Sequence, residues 1–275
     1  MEPRQIEALA LVVAIICYAA AAVATAVGGM LRANRTLVPL LTAIGLAANL
    51  TALGIRGWVA GRLPFASQYE FAMVFASAMV AILFPLAGRG TGSADGSRQP
   101  AGELRELKVF VLPIATALLI WAALTPQEIR PLMPALRSGW LTFHVGLAAV
   151  SYASFAVAGG AGAMYLLRQH ADQQLLARLD QLQYRLIAWG YVGLTLTILT
   201  GSVWAYQAWG RYWGWDPKET WSLVTWIVYS IYLHLRLRRG WSRRSCAILS
   251  IAALASVIFT FIGVNMLLPG LHSYR

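Results

Sequence analysis

Long apolar stretches alternate with short polar ones along almost the whole chain. Eight stretches are uncharged or nearly so, and most can supply the ~20 helical residues that cross the ~30 Å hydrocarbon core of a bilayer. The predicted spans are 8–31, 36–55, 69–88, 108–126, 140–167, 185–207, 217–236 and 245–268. A membrane β-barrel would instead show alternating segments of ~10 residues. The pattern predicts an all-α, polytopic transmembrane helical bundle, with 1–275 as a single integral membrane domain.

Two polar segments stand out between the spans. Residues 88–102 are rich in Gly and Ser, which predicts a flexible linker between three N-terminal and five C-terminal spans. Residues 168–184 are polar but carry Leu175, Leu176, Leu179 and Leu182 at helical spacing. We therefore expect a short amphipathic extension of a helix there.

Charge is scarce, and its placement sets the expected orientation. Only 12% of the residues are charged and 59% are hydrophobic, whereas soluble domains are about 25% charged, so a soluble enzyme is excluded. The net charge of +11 could indicate a nucleic-acid partner. Most basic residues, however, fall in alternate segments, at 32–35, 89–108, 168–185 and 236–244. The positive-inside rule makes these segments cytoplasmic and both termini outer. Basicity is then an orientation signal, and no nucleic-acid partner is expected.

Tryptophan is concentrated in one stretch, residues 203–226, on the predicted outer side. The six members are Trp204, Trp209, Trp213, Trp215, Trp221 and Trp226, out of eleven in the chain. An aromatic belt at the membrane interface accounts for one or two of them. A group this large also suits a wide, planar, apolar ligand, because flat indole rings stack against it and exclude water.

The polar turn inside this stretch predicts a helix start. Asp216 has the chemistry of an N-cap, Pro217 suits the first helical position, and Glu219 stands three residues after the cap, as in a capping box. We therefore expect Asp216 to cap the seventh helix rather than to catalyse. Its effect is to fix where the tryptophans point.

The chain has four histidines, and three lie at or near predicted spans. His144 and His272 are expected at similar depth near the outer face, where two imidazoles suit axial ligation of a haem iron. His234 follows Pro217 by 17 residues (234 − 217), or roughly 25 Å of helix, so it belongs near the inner leaflet. The alternative for each is a packed, hydrogen-bonded histidine, although ionisable residues within spans usually mark function.

Several motifs together resemble one protein family. The string WGWDPKE at 213–219, followed by TWSLVTWIVYSIYLH, is similar to the tryptophan-rich WWD domain, here 203–221, of the CcsA (ResC) family of system II cytochrome c biogenesis. PLMPALRSGWLTFHV at 131–145, VNMLLPGLHSY at 264–274 and QYEF at 68–71 agree. The chain departs from the family in having Tyr212 before Trp213 instead of a paired tryptophan.

The resemblance implies a haem-handling role. His144 and His272 would ligate haem b (iron protoporphyrin IX) at the outer face, and His234 would help to hold a second, inner haem. The implied site residues beside them are Trp209, Trp213, Trp215, Asp216 and Trp221. Arg211 and Lys218 are the nearest outer cations for the propionates. The cofactor would then be presented for thioether attachment to the C-x-x-C-H motif of an apocytochrome c.

The resemblance also implies partners. The chain would be the CcsA half of a cytochrome c synthase (haem lyase) complex with the membrane protein CcsB (ResB). Apocytochrome c, a thioredoxin-like thiol reductant and membrane lipid are the other expected partners. A bacterial plasma membrane with the WWD loop outside is expected, the thylakoid membrane being the alternative.

Three other functions stay open at this stage. A haem exporter or haem chaperone of the system I type would share the outer histidines and tryptophans but perform no ligation. A structural subunit beside CcsB would bind no haem. A secondary transporter for another solute normally needs an acidic or basic residue at mid-membrane, whereas the acidic residues here are expected at helix ends or in loops.

Overall fold

A computed structural model describes residues 1–27, 34–88, 104–129, 131, 137–268 and 270. Within these ranges the regular structure is helical, without strands. The helices are α1 (Pro3–Val27), α2 (Asn34–Ala60), α3 (Gln68–Gly88), α4 (Lys108–Leu124), α5 (Gly139–Leu167), α6 (Gln173–Trp209), α7 (Pro217–Arg238), α8 (Arg243–Ile258) and α9 (Val264–Leu267). A 3₁₀ turn, Leu104–Leu107, precedes α4, and a π-helical segment, Phe259–Gly263, joins α8 to α9. The predicted all-α membrane bundle is confirmed.

Among the described residues, six helical stretches are long and apolar enough to cross a membrane. They are Pro3–Val27, Thr36–Ala60, Gln68–Leu86, Gly139–Leu167, Gln173–Trp209 and Arg243–Leu267. The other two predicted spans correspond to α4, which is apolar but has 17 residues, and to α7, which has 22 residues but mixes polar side chains into its sequence. As membrane spans, α4 and α7 stay predictions.

Helix boundaries differ from the predicted spans mainly at α6 and α2. α6 begins at Gln173 and buries Leu175, Leu176 and Leu179, which confirms the predicted amphipathic extension. α2 runs to Ala60 instead of ending at 55. The predicted linker, 88–102, lies outside the described residues except for Gly88.

The chain divides into two compact units, Met1–Ile129 and Arg130–Arg275. In the first unit, α1 packs against α2 and α4, and α3 packs against α4. In the second unit, α5 packs along α6 and α8, while α7 packs on α6 and α8. The prediction of a single haem-handling domain is a functional one and stays a prediction.

Consecutive helices are antiparallel within each unit. In the first unit, contacts join Glu7 near the start of α1, Arg56 near the end of α2, Glu70 at the start of α3 and Gln127 just beyond α4. These four helix ends therefore lie at the same end of the first unit, as is required when consecutive spans alternate in direction. Which end faces the cytoplasm stays a prediction.

A buried arginine holds that end of the first unit together. The Arg56 side chain is 2% exposed, and its Nε donates to Glu70 Oε1 at 3.0 Å. Its two terminal nitrogens donate to the carbonyl oxygens of Gln127 at 2.6 Å and Glu128 at 3.3 Å. A buried guanidinium is stable only when its charge and its donors are matched, and here both conditions are met.

The acidic partners are matched as well. Glu70 accepts hydrogen bonds at both carboxylate oxygens from Arg62, at 2.8 and 3.0 Å, and another from the backbone N–H of Ala66. Glu7 accepts from the Tyr69 hydroxyl at 3.0 Å and lies 3.6 Å from Arg56. The QYEF motif thus contributes Tyr69 and Glu70 to a buried, charge-balanced network.

Two acidic residues lie within helices. The expectation that they lie in loops was therefore wrong. Glu7 lies within α1 and Asp180 within α6, with 4% and 7% of their surfaces exposed. Asp180 accepts two hydrogen bonds from Arg236, at 2.6 and 2.8 Å. Because each acid is paired with an arginine, neither is the unpaired mid-membrane charge that a coupled transporter would use.

Replacing Arg56 by alanine should destabilise the first unit. Removing one partner of a buried ion pair typically costs about 3–5 kcal/mol, because the other partner is left uncompensated. The measurement is the free energy of unfolding in mixed detergent micelles. The control is Thr51→Ala on the same helix, since the Thr51 hydroxyl is exposed and bonds only to its own helix, at Ala47. Equal stabilities of the two variants would contradict the role given to Arg56.

Candidate functional site

His144, one of the predicted ligands, is held in a fixed orientation between α5 and α6. Its Nδ1 lies 2.8 Å from the carbonyl oxygen of Thr197, so Nδ1 must carry the proton and donate. The lone pair is then on Nε2, and this is how metal-ligating histidines are usually oriented. The ring fits because residue 201 is glycine: a Cβ there would lie 2.7 Å from Nδ1 and Cε1.

A row of aromatic rings continues from His144 towards the end of α6. The Trp204 ring lies 6.2 Å from the imidazole, at an interplanar angle of 15°. Trp204 is 1% exposed. Its ring packs edge-to-face against the ring of Trp209, with the two ring centroids 4.8 Å apart. The structure thus brings His144 and Trp209 together through Trp204.

The turn between α6 and α7 carries the other tryptophans of the motif. α6 ends at Gly210, whose φ of +74° closes the helix in the left-handed conformation that glycine adopts easily. Trp215 also has a positive φ, +54°, which is strained for a residue with a side chain and is typical of functional sites. Its ring is perpendicular to that of Trp213 at 5.8 Å and is 69% exposed. The turn therefore presents an indole on its surface.

The predicted capping box is confirmed. The Asp216 side chain accepts from the Lys218 N–H at 2.9 Å, and Pro217 is the first residue of α7. Glu219 Oε2 accepts from the backbone N–H groups of Asp216, at 3.2 Å, and Gly214, at 2.7 Å. Asp216 and Glu219 therefore fix both the start of α7 and the turn that carries Trp213 and Trp215.

The C-terminal segment returns to this turn. A Cβ on Gly270 would lie 2.5 Å from Asp216 Oδ2 and 3.0 Å from Pro217 Cδ, so the backbone at Gly270 packs closely against these two side chains. His272 lies outside the described residues, two positions after Gly270. The structure accordingly describes the approach to this predicted ligand but not the ligand itself.

Trp221 has a different environment from the tryptophans of the turn. It lies one turn into α7, and its ring centroid is 4.1 Å from that of Phe259, the first residue of the π-helical segment. The Thr260 hydroxyl lies 3.2 Å from the Trp221 carbonyl oxygen and 3.0 Å from the Thr225 hydroxyl. Trp221 therefore fastens α7 to the π-helical segment.

His234 lies at the opposite end of the second unit from His144. It is exposed on α7, about one turn before the helix ends at Arg238. The other side of α7 faces the bundle there, where Arg236 pairs with Asp180 and Gln183 donates to the Tyr232 hydroxyl at 3.0 Å. The structure therefore keeps His234 apart from His144, as the sequence predicted.

Comparison with known proteins identifies the family. The model of the cytochrome c assembly protein family matches residues 66–272. The cytochrome c biogenesis protein CcsA of Prochlorococcus marinus is 34% identical over 88% of this chain and 85% of its own length. CcsA of Synechococcus elongatus is 34% identical over 86% and 88%, and CcsA of Chlamydomonas reinhardtii is 44% identical over 54% and 44%.

The chain belongs to the CcsA family of cytochrome c assembly proteins. Membership places it in cytochrome c biogenesis. Among solved structures, the cytochrome c heme lyase CcmF has a similar fold, with a TM-score of 0.72 at 15% identity. The match covers 96% of this chain and 49% of CcmF, so the chain spans about half the length of that protein.

The sequence did not predict the residues that orient His144. Thr197 and Gly201 lie on a different helix from His144, and an ordinary helical Thr and Gly give no sign of a distant partner. Trp204 belonged to the predicted tryptophan cluster but not to the predicted ligand-binding residues. Its spacing gave no signal either, because Trp204 and Trp209 are five residues apart, whereas a helix makes neighbours of residues three or four apart. Gly270 was part of a recognised motif, yet its contact with Asp216 needs the tertiary fold.

Replacing Gly201 by alanine should displace the imidazole of His144. The added methyl group would lie 2.7 Å from two ring atoms, which forces the ring away from the Thr197 carbonyl. In protein labelled with ¹⁵N-histidine, the NMR signal of the hydrogen-bonded Nδ1 should shift or disappear. Gly146→Ala on α5 is the control, because a Cβ there has no neighbour within 4 Å. An unchanged Nδ1 signal in Gly201→Ala would refute the fit.

Proposed function

We propose that this protein delivers haem to the outer face of the membrane and presents it for thioether attachment to apocytochrome c, together with a CcsB partner. The observation that carries the proposal is the oriented imidazole of His144. It has a donated Nδ1 proton, a lone pair on Nε2 and a buried indole, Trp204, alongside. These features fit the coordination and packing needs of a haem iron.

A second axial ligand is assigned to His272. Gly270 lies against Asp216 at the start of α7, and one residue of extended chain spans at most about 3.6 Å. His272 follows Gly270 by only two residues in the sequence. This proximity supports His144 and His272 as the two imidazoles on either side of the WWD turn.

The chain's own residues bind, orient and shield the cargo. Trp209, Trp213 and Trp215 supply flat apolar surface that excludes water, while Asp216 and Trp221 hold the turn in place through the cap and the π-helical segment. Haem supplies the vinyl carbons to which the apocytochrome thiols become bonded. Arg211 and Lys218 are the outer cations assigned to the propionates, and Arg211 is folded over the turn, where a Cβ on Gly214 would lie 2.8 Å from its Nε.

The exposure of His234 supports a second, inner haem position shared with CcsB. Burying a polar group in hydrocarbon without a hydrogen bond is costly, so an imidazole on the outer surface of a membrane helix calls for a partner. A second imidazole from CcsB, with a haem between the two, would meet that need. We assign this end of the unit to the cytoplasmic side and the WWD turn to the outer side of a bacterial plasma membrane, where a thioredoxin-like protein would keep the apocytochrome thiols reduced.

His144→Ala or His272→Ala should abolish cytochrome c maturation, because each removes one axial ligand. Added imidazole should restore part of the activity by occupying the vacant position. The measurement is thioether-linked cytochrome c formed in cells that hold only this protein, CcsB and an apocytochrome. His170→Ala is the control, since His170 lies exposed in the turn between α5 and α6. Normal maturation in either ligand variant would exclude bis-histidine ligation. Haem export without any linked product would favour the exporter or chaperone of the system I type.

His234→Ala should lower haem at the outer site as well as at the inner one, because the inner position supplies the outer. His144→Ala should leave the inner haem bound. Haem content and visible spectra of both variants, purified with CcsB, test this order. If His234 only hydrogen-bonds within the membrane, a contact of roughly 0.6 kcal/mol on average, its replacement would leave outer haem and maturation almost normal, and the two-position route would be wrong.

A further inference from the structure

We infer that Arg238 binds the carboxylate edge of the inner haem, one helical turn beyond the iron ligand. The inference rests on the proposed role of His234. It adds a charged partner that fixes which edge of the cofactor faces the cytoplasmic end. It is carried by the arrangement of exposed side chains on α7.

One face of α7 is left uncovered in the second unit. Ile227 and Ile231 are 44% and 48% exposed, and His234 and Arg238 are also exposed. Positions 227, 231, 234 and 238 recur at the spacing of one helix face, since an α-helix has 3.6 residues per turn. The stripe is therefore apolar for two turns, then carries an imidazole, and ends in a guanidinium.

Arg238 has different surroundings from the two neighbouring arginines of α7. Arg236 points to the opposite side and is engaged by Asp180 through two hydrogen bonds. Arg239 is the C-cap, one residue further round the helix and so on another face. In the part of the chain that the structure describes, Arg238 has no acidic partner. It is the cation that shares a face with His234.

The chemistry of haem matches this stripe. Its ring is apolar, its iron takes an imidazole at the centre, and its two carboxylates lie at one edge. Residues i and i+4 on a helix are neighbours, and the rise from 234 to 238 is about 6 Å. A ring held by His234 and resting on Ile231 would thus have its carboxylates beside Arg238, whose planar donors suit carboxylate oxygens.

An anionic lipid headgroup is the competing occupant. Arginine clusters next to a membrane helix attract such lipids, and Arg239, Arg243 and Arg244 belong to the same basic turn. A lipid headgroup would be attracted by all the arginines of the turn. A haem ligated by His234 would depend on Arg238 alone, because Arg238 lies on the same face of α7. This difference separates the two occupants by experiment.

The test compares haem with its dimethyl ester, which keeps the ring and the iron but has no carboxylate. The full chain, purified with CcsB, carries His144→Ala to remove the outer site and is placed in phosphatidylcholine bilayers. Binding is followed by the Soret absorption that is lost on His234→Ala. Arg238→Gln should weaken haem binding about tenfold and leave ester binding unchanged. The matched control, Arg239→Gln, should stay within about twofold of the parent for both ligands.

Each contrary result has a distinct meaning. If no Soret signal depends on His234, the proposed inner position is wrong, and the inference with it. If that signal exists but Arg238→Gln affects haem and ester equally, or no more than Arg239→Gln does, the inner position stands and the carboxylate assignment is wrong. An effect of Arg238→Gln that appears only after phosphatidylglycerol is added, and equally for both ligands, would assign Arg238 to a lipid headgroup.

Discussion

A hydrocarbon medium offers no hydrogen bonds, and the placement of polar groups in this protein follows from that constraint. Two pairs of buried charges illustrate it: Arg56 with Glu70 in the first unit, and Asp180 with Arg236 in the second. Both pairs lie near helix ends, where the desolvation penalty is smaller than at mid-membrane. Each pair joins two helices of its own unit near their ends, whereas hydrogen bonds between neutral groups, such as Asn49 with Ser77 and Ser151 with the Gly190 carbonyl, join helix centres.

The same constraint separates the two histidine environments. His144 is satisfied internally, because the Thr197 carbonyl accepts its proton and Gly201 provides the space. His234 faces outwards on a helix whose opposite side is occupied by the Tyr232 and Arg236 network. One imidazole is therefore oriented by the chain itself, whereas the other is exposed on α7, where the proposed inner haem would bind.

The sequence predicted the structural features that depend on contacts between near neighbours, but not those that depend on contacts between distant segments. The start of α7 followed from four consecutive residues, because a capping box is a contact between near neighbours. The extension of α6 followed from leucine spacing, which records burial on one side of one helix. The pairing of Arg56 with Glu70 and with the carbonyls beyond α4 joins distant segments, and single-sequence patterns hold no record of such pairs. The fit of His144 against Gly201 belongs to the same class. The predicted span edges differ from the helix boundaries, because apolar content does not show where a helix continues beyond the bilayer.

The π-helical segment Phe259–Gly263 has a consequence for how this end of the chain tolerates change. A π turn accommodates one residue more than an α turn does, and each residue rotates a helix by about 100°. The side of α9 on which Asn265 lies is thus set by that single extra residue. Loss of one residue from the segment would turn the following backbone by more than a quarter of a circle, away from Asp216. A surface loop tolerates such a change in length, whereas here it would separate Gly270 from the Asp216 side chain that it contacts, so the number of residues between Phe259 and Gly270 is constrained.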